Sequence, residues 1–304
     1  MFFSRFFQTI AWVLCVGTLL SAGAKPLKVT CITQDFAVIA QEIGGDEVEV
    51  YSLVKGSRNL HHISPKPSMV FNLKKADVLI RLGMSQDKWI DGLIQAARNP
   101  KLFEGEDSYI DASTNIDKLE VPHTQIDGRS GDVHLEGNPH YWLNPLNGVV
   151  VAKLICERLS LIRPEKKDLF RENFQNFQNK IINKMPLWQA KLSYLQGKQL
   201  YTYHKVWSYF LDAFDLTLAG TLEPVPGIAP SAKHLKQLIT GYHEHQSEND
   251  GGMVITASFY PQKPGKKFSK TLSIPFRTLA SNVGENSVES YEGLFDYLCE
   301  NLQP

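Results

Sequence analysis

The sequence predicts an α/β fold in which two sheet-and-helix lobes are joined by one long connecting helix. Short β-rich runs alternate with helical runs from residue 27 onward, and such alternation is typical of a parallel or mixed sheet covered by helices. A continuous helical pattern interrupts the alternation, which starts again after Gly197. With 304 residues the chain is long enough to give each lobe its own hydrophobic core.

The first lobe is predicted to occupy residues 25–163. Its predicted strands are 27–33, 48–54, 76–83 and 109–112, and its first predicted helices are 35–45 and 87–99. Gly44 and Gly45 end the first of these helices, because glycine is common just beyond a helix C-terminus. In the second helix Trp89 and Leu93 lie one turn apart, which is the spacing of an amphipathic helix.

The connecting helix is predicted over residues 164–196. A helix over 148–163 precedes it, and Pro164 ends that helix while fitting the first turn of the next. The apolar residues of the connecting segment form one stripe at helical spacing: Leu169, Phe170, Phe174, Phe177, Ile181 and Ile182. Pro186 is expected to kink this helix or to start a fresh helical segment.

The second lobe is predicted over residues 197–304 and repeats the design of the first. Its predicted strands are 199–203, 216–222, 252–257 and 276–280, and its predicted helices are 206–214, 232–246 and 288–302. A proline-rich turn, EPVPGIAPS, leads to Ser231, which we expect to cap the second of these helices.

Residues 1–24 are predicted to be a signal peptide. Arg5 precedes a short apolar stretch, and Ala22 and Ala24 stand where a cleavage site requires small residues. We therefore expect the mature chain to begin at Lys25 and to be periplasmic.

Composition excludes several classes of protein. The 32 basic and 32 acidic residues balance, so the sequence predicts neither a nucleic-acid partner nor a polybasic membrane patch. Cys31, Cys156 and Cys299 are widely spaced and form no C-x-x-C pair, which argues against a disulfide scaffold or a thiolate zinc site. We expect these three cysteines to be buried as small hydrophobic residues.

Three histidines stand in separate segments framed by prolines or aromatic residues. The segments are NLHHISPKPSM with His61, GNPHYWLNP with His140 and YTYHKVWSYF with His204. Prolines stiffen the chain near the first two, and the third ends a predicted strand, where open α/β sheets bind ligands. Three converging neutral imidazoles suit a borderline divalent cation, zinc before manganese, because manganese favours oxygen-rich sites.

The other histidines are weaker candidates for metal ligands. His243 and His245 lie two apart on a predicted helix and diverge, so we expect both on the surface. His234 follows a helix cap and is expected to be structural or exposed. His123 and His134 lie in a long polar loop, which is either simply solvated or a weak secondary patch that collects metal.

These segments resemble the zinc- and manganese-binding periplasmic receptors of ABC importers, the cluster A-I or cluster 9 solute-binding proteins. NPHYWLNP is similar to their D-P-H-x-W-L-D-P segment, and NLHHISPKPSM is similar to P-H-x-x-x-P-x-P-S. YTYHKVWSYF resembles their H-x-x-x-x-Y-F segment, and GTLEPVPGIAPSAKHL resembles their P-G-x-x-P-S stretch. The likeness runs in the same order over residues 27–302.

The resemblance implies a metal in the cleft between the lobes, with His61, His140 and His204 as its ligands. Family members usually add a carboxylate from a strand end in the second lobe, but the corresponding stretch here, MVITASFYPQKP, contains no acidic residue. We therefore expect water in the fourth position, with Tyr260 and Ser258 as the side chains that could hold it.

The resulting prediction is a monomeric zinc-binding component of an ABC importer, without enzymatic activity, that delivers the ion to a permease in the inner membrane. The alternative is a secreted zinc-dependent hydrolase, since three histidines and a water also form a catalytic arrangement. That enzyme would need a general base, and the one acidic residue inside a notable motif, Glu223, lies in a proline-flanked turn that we interpret as structural.

Overall fold

The structure is a computed structural model and describes residues 25–56, 58–122, 135–244 and 251–304. In this part of the chain, eight strands form two four-stranded sheets, and all strand pairs are parallel. The predicted α/β fold with two lobes is thereby confirmed. The predicted signal peptide, residues 1–24, lies outside the described residues.

The first sheet has the strand order β2-β1-β3-β4. Its elements are β1 (Leu27–Cys31), α1 (Gln34–Gly44), β2 (Val48–Ser52), α2 (Pro67–Lys75), β3 (Val78–Arg81), α3 (Asp91–Ala97) and β4 (Tyr109–Asp111). Thr33 caps α1 by accepting a hydrogen bond from the backbone N–H of Phe36, and Ile39 and Ile43 continue the buried apolar stripe of this helix.

Two long helices follow the first sheet: α4 (Pro145–Ile162) and α5 (Lys167–Leu192). The helix α5 is the predicted connecting helix, and it runs through Pro186 as one element. Of the two effects expected at Pro186, a kink or a fresh helical segment, the second therefore does not occur. Met185 and Trp188 are buried on either side of this proline, and tertiary packing of this kind outweighs the lost backbone hydrogen bond.

The second sheet has the order β6-β5-β7-β8, which repeats the topology of the first. Its elements are β5 (Gln199–Thr202), α6 (Ser208–Ala213), β6 (Leu218–Thr221), α7 (Ala232–Glu244), β7 (Gly252–Ala257), α8 (Gln262–Leu272), β8 (Phe276–Leu279) and α9 (Tyr291–Asn301). In both sheets the order in which strands are added reverses beside the first strand of the lobe. At such a point the carboxyl ends of the strands form a crevice where α/β proteins bind ligands.

Two helices were not predicted, α2 and α8. In α2 only Met69 and Leu73 are buried apolar residues. In α8 a proline and a glycine lie inside the helix, and Phe268 and Leu272 are its buried apolar side chains. Neither segment has the sustained apolar stripe that identifies a helix in a sequence.

The connecting helix is fixed to elements from both ends of the chain. Lys180 forms ion pairs with Glu42 of α1 and Glu292 of α9. One turn further along, Lys184 pairs with Asp296, which also accepts a hydrogen bond of 2.9 Å from the indole N–H of Trp188. The main apolar core is correspondingly continuous from the first sheet through α4 and α5 to α9.

Among the described residues, the lobes contact each other directly in two separate places, and we describe the contacts as two sets. In the first set, the indole N–H of Trp142 donates to the Ser281 carbonyl at 2.9 Å, and the Tyr291 hydroxyl donates to the Trp142 carbonyl at 2.7 Å. A Cβ at Gly148 would lie 2.0 Å from the Tyr291 ring, so this close approach requires glycine. In the second set, the backbone N–H of Leu119 donates to the Tyr209 hydroxyl at 3.0 Å.

Cys31, Cys156 and Cys299 are free and buried, which confirms their predicted role as small core residues. Among the described helices, none combines the length and the apolar character that a membrane crossing requires.

Candidate metal centre

His61 is positioned by a short 3-10 helix, Leu60–His62, in the loop between β2 and α2. The side chain of Asn59 begins this turn by accepting a hydrogen bond of 2.9 Å from the backbone N–H of His61. Leu60 is buried in the main core, so the turn is fixed to the first lobe while the His61 ring is half-buried.

His140 is held by the side-chain amide of Asn138. The amide oxygen accepts a hydrogen bond of 2.9 Å from the backbone N–H of His140 and lies 2.8 Å from ring atom Nδ1. An amide oxygen only accepts, so Nδ1 carries the ring proton and the lone pair of the neutral ring is on Nε2. The ring is buried, and Trp142 packs beside it with ring centroids 5.3 Å apart.

The same amide reaches the second lobe through its nitrogen. Asn138 Nδ2 donates to the Lys205 carbonyl at 2.7 Å and to the Ser208 hydroxyl at 3.2 Å, and it also donates to Glu120 at 3.2 Å. The group that orients His140 in the first lobe is thus fixed by residues of the second lobe.

His204 lies two residues beyond the last residue of β5, Thr202, so its predicted place at the end of a strand is confirmed. Its Nδ1 lies 2.7 Å from Oε2 of Glu223, and both side chains are buried. The carboxylate also accepts a hydrogen bond of 3.1 Å from the backbone N–H of Gly227. The carboxylate accepts a hydrogen bond from Nδ1–H, so the lone pair of the ring is on Nε2, as in many metal-binding histidines.

Besides lying in the turn that we interpret as structural, Glu223 contacts the site, since its carboxylate is hydrogen-bonded to the ring of His204. The sequence contains an indication of this contact. Glu223 follows the predicted strand 216–222, which in the structure is β6, hydrogen-bonded to β5. The carboxyl ends of neighbouring parallel strands lie at the same edge of a sheet, so side chains just beyond them meet.

The three predicted histidines converge. One ligand atom from each of His61, His140 and His204 lies within 4.8 Å of the others. The ring centroids are 5.1 Å apart for His61 and His204, 5.5 Å for His61 and His140, and 5.6 Å for His140 and His204. Among the described residues, this is the one such group of His, Cys, Asp or Glu side chains that could hold a metal ion.

The chemistry of this donor set is three neutral nitrogen ligands in a largely buried site between the lobes. Such a set leaves one position of a tetrahedral ion for another ligand. Tyr260 stacks on His204 with ring centroids 5.1 Å apart, while the Ser258 hydroxyl donates to Glu285.

Two buried carboxyl groups accompany the lobe contacts of Trp142. Asp35 accepts hydrogen bonds from the Val283 backbone N–H at 2.8 Å and from Asn282 Nδ2 at 3.3 Å. Burial raises the pKa of Asp35 to about 7, and the charge of Glu285 adds to the effect. Burial likewise raises the pKa of Glu285 to about 7. Both groups hold protons near neutral pH more strongly than ordinary carboxyls.

Of the other histidines, those that the structure describes do not join the group. His243 is exposed on α7, as predicted. His234 is half-buried, and its Nε2 lies 2.8 Å from the Thr221 carbonyl, which is one of the two roles predicted for it. His123, His134 and His245 lie outside the described residues.

Solved structures share this fold. A crystal structure of ZnuA superposes with a TM-score of 0.72 and 21% identity, over 91% of this chain and 99% of the other. The solute-binding protein FpvC from Pseudomonas aeruginosa, solved in complex with Mn²⁺, gives a TM-score of 0.75 with 18% identity, over 91% of this chain and 97% of the other.

Relatives and a family profile extend the likeness to the sequence. The chain is 24% identical over 311 residues to the manganese ABC transporter substrate-binding lipoprotein PsaA of Streptococcus mitis, covering 99% of this chain and 96% of the relative. It is 24% identical over 270 residues to the metal ABC transporter substrate-binding lipoprotein SloC of Streptococcus mutans, covering 87% and 82%. The profile of the periplasmic zinc-uptake complex component A family, ZnuA, matches residues 29–303. The chain belongs to this family of metal-binding periplasmic solute-binding proteins of ABC importers.

Proposed function

We propose that this protein captures zinc outside the inner membrane and delivers it to the permease of an ABC importer. The ion is bound by His61, His140 and His204, with water in the fourth position. The single observation that supports this proposal is the convergence of one ligand atom from each histidine within 4.8 Å. Two of the rings present Nε2 as the lone-pair nitrogen, because Nδ1 is hydrogen-bonded to an amide or a carboxylate.

The donor set favours zinc over manganese. The matched family is described by zinc uptake, whereas several relatives at about 24% identity are named for manganese. Manganese prefers oxygen ligands, and the group here contains three imidazoles and no carboxylate. Chemistry of the ligands therefore supports zinc as the cargo.

We further propose that the chain is a monomer of two lobes joined by one helix. The first lobe comprises residues 25–163 and the second comprises 197–304, with the connecting helix of 164–196 between them. The chain acts as a monomer after removal of residues 1–24 as a cleaved signal peptide. It has no turnover of its own.

The metal content of the purified protein tests the proposal. After purification without chelators or nickel resin, we expect one zinc per chain by elemental analysis. In calorimetric competition, zinc should bind with a stoichiometry of one and should displace manganese. A protein that binds manganese in preference to zinc would contradict the choice of cargo, and a protein that binds neither ion would contradict the site.

A further inference from the structure

A cavity of about 240 Å³ lies beside the metal centre and between the two lobes. Its walls come from the His61 loop of the first lobe, from the loops after β5 and β6, and from the segment after β7. The lining residues that matter here are His62, His204, Glu223, Gly227 and Tyr260. One site histidine, His204, therefore faces this cavity.

His62 lines the cavity and is exposed to solvent. It follows His61 in the same 3-10 helix, and successive residues of such a helix point about 120° apart. His62 is accordingly absent from the convergent group, and its side chain is exposed while also lining the cavity. An imidazole thus stands where the cavity meets water, and a second imidazole, His204, stands on its inner wall.

The cavity is large enough for a hydrated ion. A water molecule occupies about 30 Å³ of liquid, so a divalent cation with a first shell of about six waters fits a volume of about 240 Å³. Such an ion must exchange these waters for protein ligands before it can enter a site of three imidazoles.

Glu223 is less suited to receive the incoming ion. Its carboxylate accepts hydrogen bonds from His204 and from Gly227. Tyr260 stacks face to face on His204. Of the side chains on the cavity wall that bind zinc well, His62 is the one on the solvent side.

We propose that His62 is a transient ligand on the path of the metal, which receives the ion from water and passes it to His204. This inference rests on the proposed function. A transient ligand lowers the barrier of transfer without holding the ion in the final complex, so it accelerates capture and release equally and leaves the dissociation constant unchanged.

Stopped-flow kinetics on the full mature chain test the proposal, with zinc as the probe. Association is followed in competition with a zinc indicator dye, and release is followed after mixing the loaded protein with chelator at several concentrations, extrapolated to zero chelator. For His62→Ala we expect both rate constants to fall by the same factor, about three- to tenfold, while Kd stays within twofold of the wild type. The matched control is His243→Ala, which removes an exposed histidine from α7 that does not line the cavity.

A rescue variant separates a ligand from a merely structural side chain. His62→Asp offers zinc a carboxylate in place of the imidazole, so we expect it to restore most of the speed in both directions. Unchanged rates in His62→Ala would overturn the proposal. A weaker Kd in that variant would also overturn it, because His62 would then be an equilibrium ligand.

The failure of this inference is distinguishable from the failure of the proposed function. If the wild type binds one zinc and His62→Ala shows wild-type kinetics, only the role of His62 is lost. If the wild type binds no zinc in calorimetry, the proposed function itself fails.

Discussion

The two buried site histidines are supported in different ways, and the difference shows how each lobe contributes to the centre. His204 is held by a carboxylate, Glu223, that belongs to its own lobe. His140 is held by a neutral amide, Asn138, whose nitrogen is bound to the other lobe through Lys205 and Ser208. The orientation of His204 is therefore local, whereas that of His140 depends on how the lobes meet.

The charge of the support also differs. A carboxylate that accepts a hydrogen bond from Nδ1–H raises the basicity of the ring and strengthens its bond to a metal. An amide oxygen orients the ring with less electronic effect. The two supports thus predict different losses: neutralising the carboxylate of Glu223 should lower affinity alone, and removing the amide of Asn138 should lower affinity together with stability.

Loss of a ligand is expected to have the largest effect, because it removes zinc binding however the remaining histidines are held. His140→Ala and His204→Ala should each abolish stoichiometric zinc binding in calorimetry, because two imidazoles make a weak site for zinc. His243→Ala, at an exposed position on α7, is the control that should bind as the wild type does. Retained one-to-one binding in either site variant would show that the ring is not a ligand.

The next largest effect is expected for Glu223→Gln, which gives His204 the neutral type of support that His140 has. We expect zinc affinity to fall about tenfold, with little change in the free energy of unfolding of the apoprotein, because the amide oxygen can still accept the hydrogen bond from the Gly227 N–H. In Glu223→Ala the affinity should fall by up to about 100-fold. Competition with a chelator of known affinity measures the loss, and Glu244→Gln at the exposed end of α7 is the control. An unchanged affinity would contradict a role for the carboxylate in holding the ring.

Asn138→Ala is expected to lower both affinity and stability. It removes the acceptor of His140 and the donors to Lys205 and Ser208. Loss of buried hydrogen bonds of this kind costs on the order of 1–3 kcal/mol, measurable by urea unfolding of the apoprotein. Ser208→Ala separates the two parts, because it weakens the contact between lobes without touching His140, so stability should fall slightly while affinity is kept. Equal affinity losses in both variants would contradict this division.

The last expected effect leaves the metal centre unchanged and concerns Asp35, in the other set of lobe contacts, where stability depends on pH. The pKa of Asp35 is raised from 3.8 to about 7 in the folded protein. Between these values the folded state keeps a proton that the unfolded state has lost, so stability is highest at the acidic end and falls as pH rises toward 7.

Asp35→Asn removes this dependence while keeping an oxygen for the Val283 N–H. Compared with the wild type, we expect the variant to lose less unfolding free energy between pH 5 and pH 8, by on the order of a few kcal/mol. Urea unfolding at both pH values measures the difference, with Asp46→Asn at an exposed position of the first lobe as the control. A parallel decline in wild type and variant would show that Asp35 is not the group that titrates.

Much of the fold could be predicted because its information is local. Strands β1, β5 and β7 are short apolar runs between turns, and α1 and α5 have continuous apolar stripes. The helices α2 and α8 could not be predicted because few of their residues are buried apolar side chains, and they become helical through packing against their sheets.

The candidate site likewise has a part that could be predicted from local sequence and a part that could not. Each site histidine stands in a segment whose prolines, aromatic residues or strand end constrain it locally, so the three could be selected from the sequence. The residues that hold the histidines and the lobes in place are distant from their partners in sequence and meet them only in the folded chain. Glu223 is 19 residues from His204, and Asp35 meets Val283 across 248 residues. Contacts of this kind follow from the parallel order of the strands and from the return of α9 to the first lobe, which no local pattern encodes.

X-ray absorption at the zinc edge of the loaded protein shows whether three imidazoles bind the ion. We expect a first shell of nitrogen and oxygen atoms at about 2.0–2.1 Å, with outer-shell scattering that fits three imidazole rings. A first shell that contains sulfur, or that fits one imidazole or none, would contradict this expectation.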